Sequence, residues 1–130
     1  MHVPVTLVYG SLLGLIYVFL SLKVTRTRKA DKVEIGTGNS DAVERAVRTH
    51  ANFIEYVPIA LILIGLLESA GAADALIRWL AGGLIVGRLL HIWGFNQPNQ
   101  PHKGRILGTL ITWLVILVTS LDGLYLGLGL

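Results

Sequence analysis

The sequence predicts an all-α membrane protein in which four transmembrane helices form one antiparallel bundle. Hydrophobic residues make up 53% of the 130 residues and charged residues 15%, with a mean hydropathy of +0.65. In soluble domains about a quarter of the residues are charged. Long apolar stretches alternate with short polar segments along the chain, and short connections favour up-and-down packing of successive helices. We therefore predict a single transmembrane domain over residues 1–130.

The first predicted helix covers about residues 3–22, a stretch without a charged side chain. Twenty residues at ~1.5 Å each are long enough to cross a hydrocarbon core of ~30 Å. No Lys or Arg precedes this stretch and no small-residue cleavage motif follows it, so we interpret it as a retained span rather than a signal peptide. The segment after it is predicted to be a loop with five basic residues, namely Lys23, Arg26, Arg28, Lys29 and Lys32.

The second predicted helix covers about residues 41–70, and Ser40 or Asp41 is its expected N-cap. A helix of this length measures roughly 45 Å, so its first third should project beyond the lipid. Pro58 falls inside the helical pattern and removes one backbone hydrogen bond there.

The third and fourth predicted helices are separated by a segment that cannot stay helical. The third covers about residues 74–95 and begins at Asp74, which can cap it. Two prolines follow in NQPNQPHKG and interrupt the helical pattern. The fourth covers about residues 105–128.

The distribution of basic residues predicts the orientation, because cytoplasmic segments of membrane proteins carry an excess of Lys and Arg. Five such residues follow the first helix, and Lys103 and Arg105 lie between the third and fourth. The N-terminus, the 71–74 turn and the C-terminal tail carry none. We therefore predict that both termini lie outside the cytoplasm and that the polar start of helix two faces the cytoplasm.

Helix two carries a polar stripe, six polar residues within an arc of roughly 100° at about 100° per residue. Polar groups at membrane depth usually point into a bundle or a wet cavity. The stripe consists of Asp41, Arg45, Arg48, Asn52, Glu55 and Tyr56.

Two interpretations of the polar stripe stay open at this point. One is an internal ladder of ion pairs, since Asp41 and Arg45 are four residues apart. The other is a binding surface for an extended zwitterion, because Arg48 and Glu55 lie about 10 Å apart along the axis, too far for a direct pair. His50 lies about 170° from the centre of the stripe. It is expected to face a neighbouring subunit or to be an ordinary hydrogen-bonded histidine.

Helix three carries a second polar patch at the same predicted depth. Arg88, His91 and Phe95 share one face of that helix. Two polar patches at one depth indicate a site, although a single membrane arginine is more often structural.

These motifs resemble those of a known family. The pattern R-x-H-x-N-x-x-E-Y-x-P at residues 48–58, followed by G-R-L-L-H at residues 87–91, is similar to the membrane-associated proteins in eicosanoid and glutathione metabolism, the MAPEG family. The resemblance covers nearly the whole chain. The family includes microsomal glutathione transferase, and the sequence resembles its bacterial inner-membrane members most. It implies a homotrimer with one glutathione at each subunit interface, open to the cytoplasm, and lipophilic substrates that arrive from the bilayer.

The resemblance also implies roles for individual residues. Arg105 matches the arginine that activates the thiol at the start of helix four, with His102 as a competitor for that position because the preceding loop varies in length. His50 and Arg26 match positions that reach the ligand across the subunit interface. The remaining positions match residues that contact glutathione in the family: Arg48, Asn52, Glu55 and Tyr56 on helix two, and His91 on helix three.

The residue types suit the chemistry that the resemblance implies. Only the thiolate of glutathione attacks, its free pKa is near the ~8.5 of cysteine, and a neighbouring guanidinium stabilises the anion. Arginine binds carboxylates in a bidentate manner, and Glu55 can bind the ligand's amino group. The chain contains no cysteine, so it has no thiolate metal site, and we predict neither a metal nor a nucleic-acid partner.

The predicted function is therefore a membrane-bound glutathione transferase that conjugates glutathione to hydrophobic electrophiles, and glutathione peroxidase activity is compatible with it. The alternative is a membrane protein that binds a lipid or a thiol without catalysis, as the family's lipoxygenase-activating member does. Phe95 favours this alternative, since several members have a tyrosine there. A small exporter is disfavoured because residues 3–22 contain no ionisable acid. Asp122 is assigned no function.

Overall fold

The computed structural model describes residues 2–130 and consists of four α-helices, with no strand in that range. The helices are α1 (Pro4–Asp31), α2 (Asp41–Ser69), α3 (Asp74–Phe95) and α4 (Lys103–Gly127). All four are long and apolar enough to cross a membrane. The predicted class of an all-α chain with four candidate membrane spans is confirmed.

Contacts between α1 and α2 show that the two helices run in opposite directions. Thr6 near the start of α1 contacts Glu68 near the end of α2, whereas Ser21 contacts His50. The bundle thus has two distinct ends. We call the end that holds residues 23–48 and 95–105 the basic end, and the end that holds residues 4–9, 65–78 and 119–130 the terminal end.

The first helix is longer than its apolar run. It continues to Asp31, so the prediction of a loop directly after residue 22 was wrong. Lys and Arg are good helix formers, so the end of the apolar run marks where the charged side chains begin rather than where the helix ends. The helix stops at Lys32, which has a left-handed backbone with φ of 55°. Ser40 then caps α2, its hydroxyl accepting a hydrogen bond from the backbone N–H of Val43 at 3.1 Å.

Glycines allow α3 and α4 to pack with their backbones in contact. A Cβ at Gly94 would collide with the backbone of Gly104 and Arg105, and one at Gly108 would collide with the backbone of Gly87 and His91. Small residues permit this close approach between membrane helices. The start of α4 is therefore fixed against the end of α3, which brings Arg105 next to the polar patch of α3.

The terminal end is closed by a buried carboxylate. Glu68 is only 7% exposed and accepts hydrogen bonds from the backbone N–H groups of Val5 at 2.8 Å and Thr6 at 2.7 Å. The first N–H groups of a helix have no partner within the helix, so a side chain from α2 completes the first turn of α1.

Apolar side chains fill the centre of the bundle and also cover its outside. Leu13, Ile64 and Leu84 are at most 1% exposed in the core, while Leu15 is 70% and Trp79 82% exposed on the outer surface. Exposed apolar surface of this extent is typical of a membrane contact.

Candidate functional site

The polar stripe begins at the basic end and continues towards the middle of α2, and its side chains contact different partners. Arg45 Nη1 donates to the carbonyl oxygens of Phe95 and Gln97, both at 2.9 Å. The last carbonyls of a helix lack partners within it and attract cations. Arg45 therefore binds the C-terminal end of α3. The simple ladder of local ion pairs, with Arg45 paired to Asp41, does not describe the outer part of the stripe.

A cavity of about 240 Å³ opens between the first turns of α2 and the end of α3. Arg48 is exposed and lines this cavity, so its guanidinium is accessible to a ligand. Charged and polar side chains make up most of the wall, and Phe95 contributes an aromatic face. The full lining is Asp41, Glu44, Arg45, Arg48, Phe95 and Gln100.

Asn52 lies deeper on the stripe and is bonded to α3. Its Oδ1 accepts a hydrogen bond of 2.6 Å from Nη1 of Arg88. Arg88 is only 1% exposed, and its Nε donates to the hydroxyl oxygen of Thr112 in α4 at 3.0 Å. One arginine thus joins three helices, and its Nη2 is buried without a partner among the described residues.

Tyr56 and Glu55 complete the inner part of the stripe. The ring of Tyr56 lies below the guanidinium of Arg88, with 5.4 Å between the arginine Cζ and the ring centroid. The hydroxyl of Tyr56 accepts a hydrogen bond of 3.2 Å from Nε1 of Trp113. Glu55 is exposed, so its carboxylate is accessible.

A column of three side chains runs along the neighbouring face of α3 to the start of α4. His91 is 2% exposed and its ring stacks on Phe95, with 5.7 Å between ring centroids. Arg105 also lies over the Phe95 ring, with its Cζ 4.5 Å from the centroid. Because Phe95 also lines the 240 Å³ cavity, the column connects Arg105 and His91 to the cavity that holds Arg48.

His102, the sequence-based competitor of Arg105, has a structural task. It is the N-cap of α4, and its Nδ1 accepts a hydrogen bond of 3.1 Å from the backbone N–H of Gly104. Its ring also makes an edge contact with Trp93, at 4.8 Å between centroids. The geometry favours Arg105 over His102 as the cation beside the cavity.

His50 and Arg26 lie away from this cavity within one chain. His50 faces α1, where its Nε2 is 3.1 Å from the hydroxyl oxygen of Ser21 and its ring centroid is 5.0 Å from that of Tyr17. It is therefore a hydrogen-bonded histidine in the α1–α2 interface. Arg26 is exposed on the extension of α1.

Sequence reasoning identified the shared face of Arg88 and His91 but left Arg88 out of the site. It also missed Thr112 and Trp113, which contact stripe residues from α4. Thr112 and Thr119 are both fully buried, and their spacing of seven residues puts them on one face of α4. That pattern of hydroxyls inside an apolar helix was the available signal. Among residues 2–130 no cluster of three potential metal ligands occurs.

Comparison with known proteins identifies the family of this chain. The MAPEG family model matches residues 6–125. The chain belongs to the MAPEG family. The resemblance inferred from residues 48–58 and 87–91 is thereby confirmed.

The MAPEG chain is also similar to a protein named inner membrane protein YecN, in Escherichia coli K12 and in Escherichia coli O6:H1. In both cases 31% of 121 aligned residues are identical, and the alignment covers 93% of this chain and 91% of the relative. Together with the four apolar helices, this similarity supports an integral protein of the inner membrane. The name of this relative states a location and no activity.

Proposed function

We propose that this MAPEG protein is a membrane-bound glutathione transferase that conjugates the glutathione thiolate to hydrophobic electrophiles. One observation carries the proposal. Phe95 lines the cavity that contains Arg48 and at the same time lies under Arg105. Phe95 therefore links a cation suited to a carboxylate, Arg48 in this cavity, to a cation suited to a thiolate, Arg105 beside the same ring.

Each charged group of glutathione has a matching side chain. Arg48 is accessible for bidentate binding of a carboxylate, and the exposed Glu55 suits the amino group. Arg105 is half-buried, where a guanidinium stabilises an anion more strongly than in water. It holds the sulfur as thiolate while the thiol proton leaves to solvent.

In the proposed reaction the thiolate attacks an electrophilic carbon, and a carbon–sulfur bond forms. The bond to the leaving group, a halide for example, breaks and the leaving group takes its electron pair. Apolar side chains next to Arg105 suit a lipophilic electrophile. A shallow cavity of about 300 Å³ is lined there by Pro101, Arg105, Ile106, Thr109, Leu110 and Trp113.

We propose a homotrimer in which neighbouring subunits complete the site. The cavity in one chain has a volume of about 240 Å³, smaller than the ~300–1,000 Å³ of ordinary ligand sites, and in the proposed trimer a second chain adds further walls. Arg26 is exposed on the α1 extension and is free to reach a neighbouring chain. We propose that both termini lie outside the cytoplasm and that the basic end, with the site, faces the cytoplasm.

Isothermal calorimetry on purified protein in detergent, with glutathione as the titrant, tests this proposal. We expect saturable binding and thiolate absorbance near neutral pH. Arg105→Ala should keep the affinity and lose the thiolate, while Lys103→Ala, a neighbouring cation at the start of α4, should keep both. If the wild-type protein bound no glutathione, the proposal would be abandoned.

A second candidate function is glutathione or lipid binding without turnover. Phe95 favours it, because a phenyl ring at the junction of Arg105 and His91 cannot donate a hydrogen bond to sulfur. Saturable binding without thiolate formation, and without turnover of aryl halides or lipid hydroperoxides, would select this function over the transferase.

A further inference from the structure

The hydrogen bonds around Arg88 all run in one direction. An arginine side chain has five N–H donors and no acceptor. Arg88 donates to Oδ1 of Asn52 at 2.6 Å and to the hydroxyl oxygen of Thr112 at 3.0 Å. Thr112 in turn donates to the carbonyl oxygen of Gly108 at 2.8 Å. The hydroxyl proton of Thr112 is therefore used in that bond, so the hydroxyl oxygen can only accept a hydrogen bond from Arg88.

This polarity decides which way the side-chain amide of Asn52 is turned. The opposite orientation would bring the amide NH₂ group against the guanidinium, two sets of donors with no acceptor between them. A bond of 2.6 Å from a charged donor is also among the strong hydrogen bonds of a protein. The carbonyl oxygen of Asn52 is thus held towards Arg88, and its Nδ2 faces away from it.

Asn52 is well placed to use that nitrogen. It is half-buried and lies on the polar stripe between Arg48 and Glu55, about one helical turn from each. Within residues 2–130, the side-chain hydrogen bonds between Asn52 and Arg88 are accepted by Asn52 oxygens, and Nδ2 is not a buried atom without a partner. We infer that Nδ2 remains a donor for a ligand on the stripe.

The choice of residue type at position 52 supports the same conclusion. An aspartate would neutralise Arg88, a residue that is only 1% exposed, and an unpaired buried charge is costly. It would, however, present only acceptors to the stripe. A neutral amide satisfies Arg88 less well and leaves a donor at its other side.

We propose that Arg88 is a positioning residue that fixes Asn52 as a hydrogen-bond donor, so that this point of the site recognises an acceptor oxygen of the ligand, a carboxylate or a peptide carbonyl. The inference rests on the proposed function, because it states which type of glutathione atom Asn52 binds. Arg88 itself stays behind Asn52 and does not contact the ligand.

The test compares two variants that affect stability differently, although each removes the fixed hydrogen-bond donor at position 52. Asn52→Asp keeps an acceptor for Arg88, and we expect the melting temperature to be maintained or raised. Arg88→Met removes the buried charge and leaves Asn52 free to turn. Both variants should weaken glutathione binding in calorimetry about tenfold or more, the value of one hydrogen bond to a charged group.

Thr119→Val is the matched control. Thr119 is fully buried and donates to backbone carbonyls of α4 at the terminal end. The substitution therefore removes a buried hydroxyl from α4, the helix that carries Thr112, at a point far from Asn52. We expect wild-type affinity from this variant. A purely structural role of the Arg88 network predicts instead that affinity falls only in variants with a lowered melting temperature.

The outcomes separate this inference from the proposed function. If wild-type protein binds glutathione and a folded Asn52→Asp or Arg88→Met variant binds it equally tightly, the orientation of Asn52 is irrelevant and the inference is overturned. If wild-type protein binds no glutathione, the proposed function itself fails.

Discussion

The guanidinium of Arg105 lies over the ring of Phe95, with 4.5 Å between the arginine Cζ and the ring centroid. The contact joins α4 to α3 at the cavity, and His91 stacks on the same ring at 5.7 Å. A cation over an aromatic face is held by the negative quadrupole of the ring. The phenyl ring therefore orients the two basic side chains without donating a hydrogen bond itself.

Phe95→Tyr should make the site a better thiolate binder. The ring and its two contacts are kept, and a hydroxyl is added at the wall of the cavity. A new hydrogen bond to sulfur of about 1.4 kcal/mol raises the rate about tenfold if it forms in the transition state. The measurements are the thiolate absorbance as a function of pH and the rate with an aryl halide.

Phe95→Leu provides the comparison, since it removes the ring and both contacts. We expect lower activity than wild type from this variant. An unchanged thiolate level in Phe95→Tyr, with wild-type stability, would show that sulfur does not lie beside residue 95.

Arg45 and Arg48, neighbours on one helix face, should have opposite phenotypes. Arg45→Ala removes the bonds to the carbonyls of Phe95 and Gln97, which should cost about 1.5–3 kcal/mol of stability. Arg48→Ala removes an exposed side chain and should leave the melting temperature unchanged while glutathione affinity falls. Thermal unfolding and calorimetry on both variants check this. Wild-type affinity in Arg48→Ala would contradict the assignment of this arginine to a carboxylate.

Gly108→Ala should separate α3 from α4. The added Cβ would meet the backbone of Gly87 and His91, and such overpacking costs typically about 1–3 kcal/mol. Because His91 belongs to the column beside the cavity, activity should fall together with stability. Thermal unfolding in detergent and the conjugation rate are the measurements.

Gly123→Ala is a control within the same helix. No atom lies within 4 Å of a Cβ at Gly123, so the substitution should stabilise the protein by about 0.5–1 kcal/mol through backbone entropy. Equal effects of the two substitutions would refute the close packing of α3 on α4 at Gly108.

Glu68→Ala should destabilise the protein without changing the site. The loss of two bonds from backbone N–H groups to a charged acceptor is expected to cost about 2–3 kcal/mol. Glutathione affinity should remain at the wild-type level, since Glu68 lies at the terminal end and the cavity at the basic end. Asp122→Asn, another acid at the terminal end, should be close to neutral. A melting temperature of Glu68→Ala equal to that of Asp122→Asn would show that the cap contributes nothing.

The fold was predictable because the length of each apolar stretch determines whether it can form a membrane-spanning helix. Four predominantly apolar stretches lead directly to four helices, and Ser40, one of the two residues predicted as the N-cap of α2, does cap it. The end of α1 was not predictable in this way. Hydropathy reports where lipid ends, whereas Lys and Arg continue a helix into water, so Asp31 and not residue 22 closes α1.

The sequence predicted which side chains of the site share a helix face, but it did not predict which residues on other helices they contact. Periodicity gave the polar stripe and the shared face of Arg88 and His91. It could not show that Arg45 binds the end of α3, since i,i+4 spacing to Asp41 suggested a local ion pair. Nor could it show that His50 meets Ser21. Such partners depend on the register between helices, which no single-helix pattern contains.

The bond between Glu68 and the first turn of α1 has a consequence for how the chain is made. Val5 and Thr6 emerge from the ribosome long before Glu68 does, and until then their N–H groups need water or another partner. The first turn of α1 therefore reaches its final hydrogen bonding only after α2 has been synthesised and has packed against α1, which couples the assembly of the two helices.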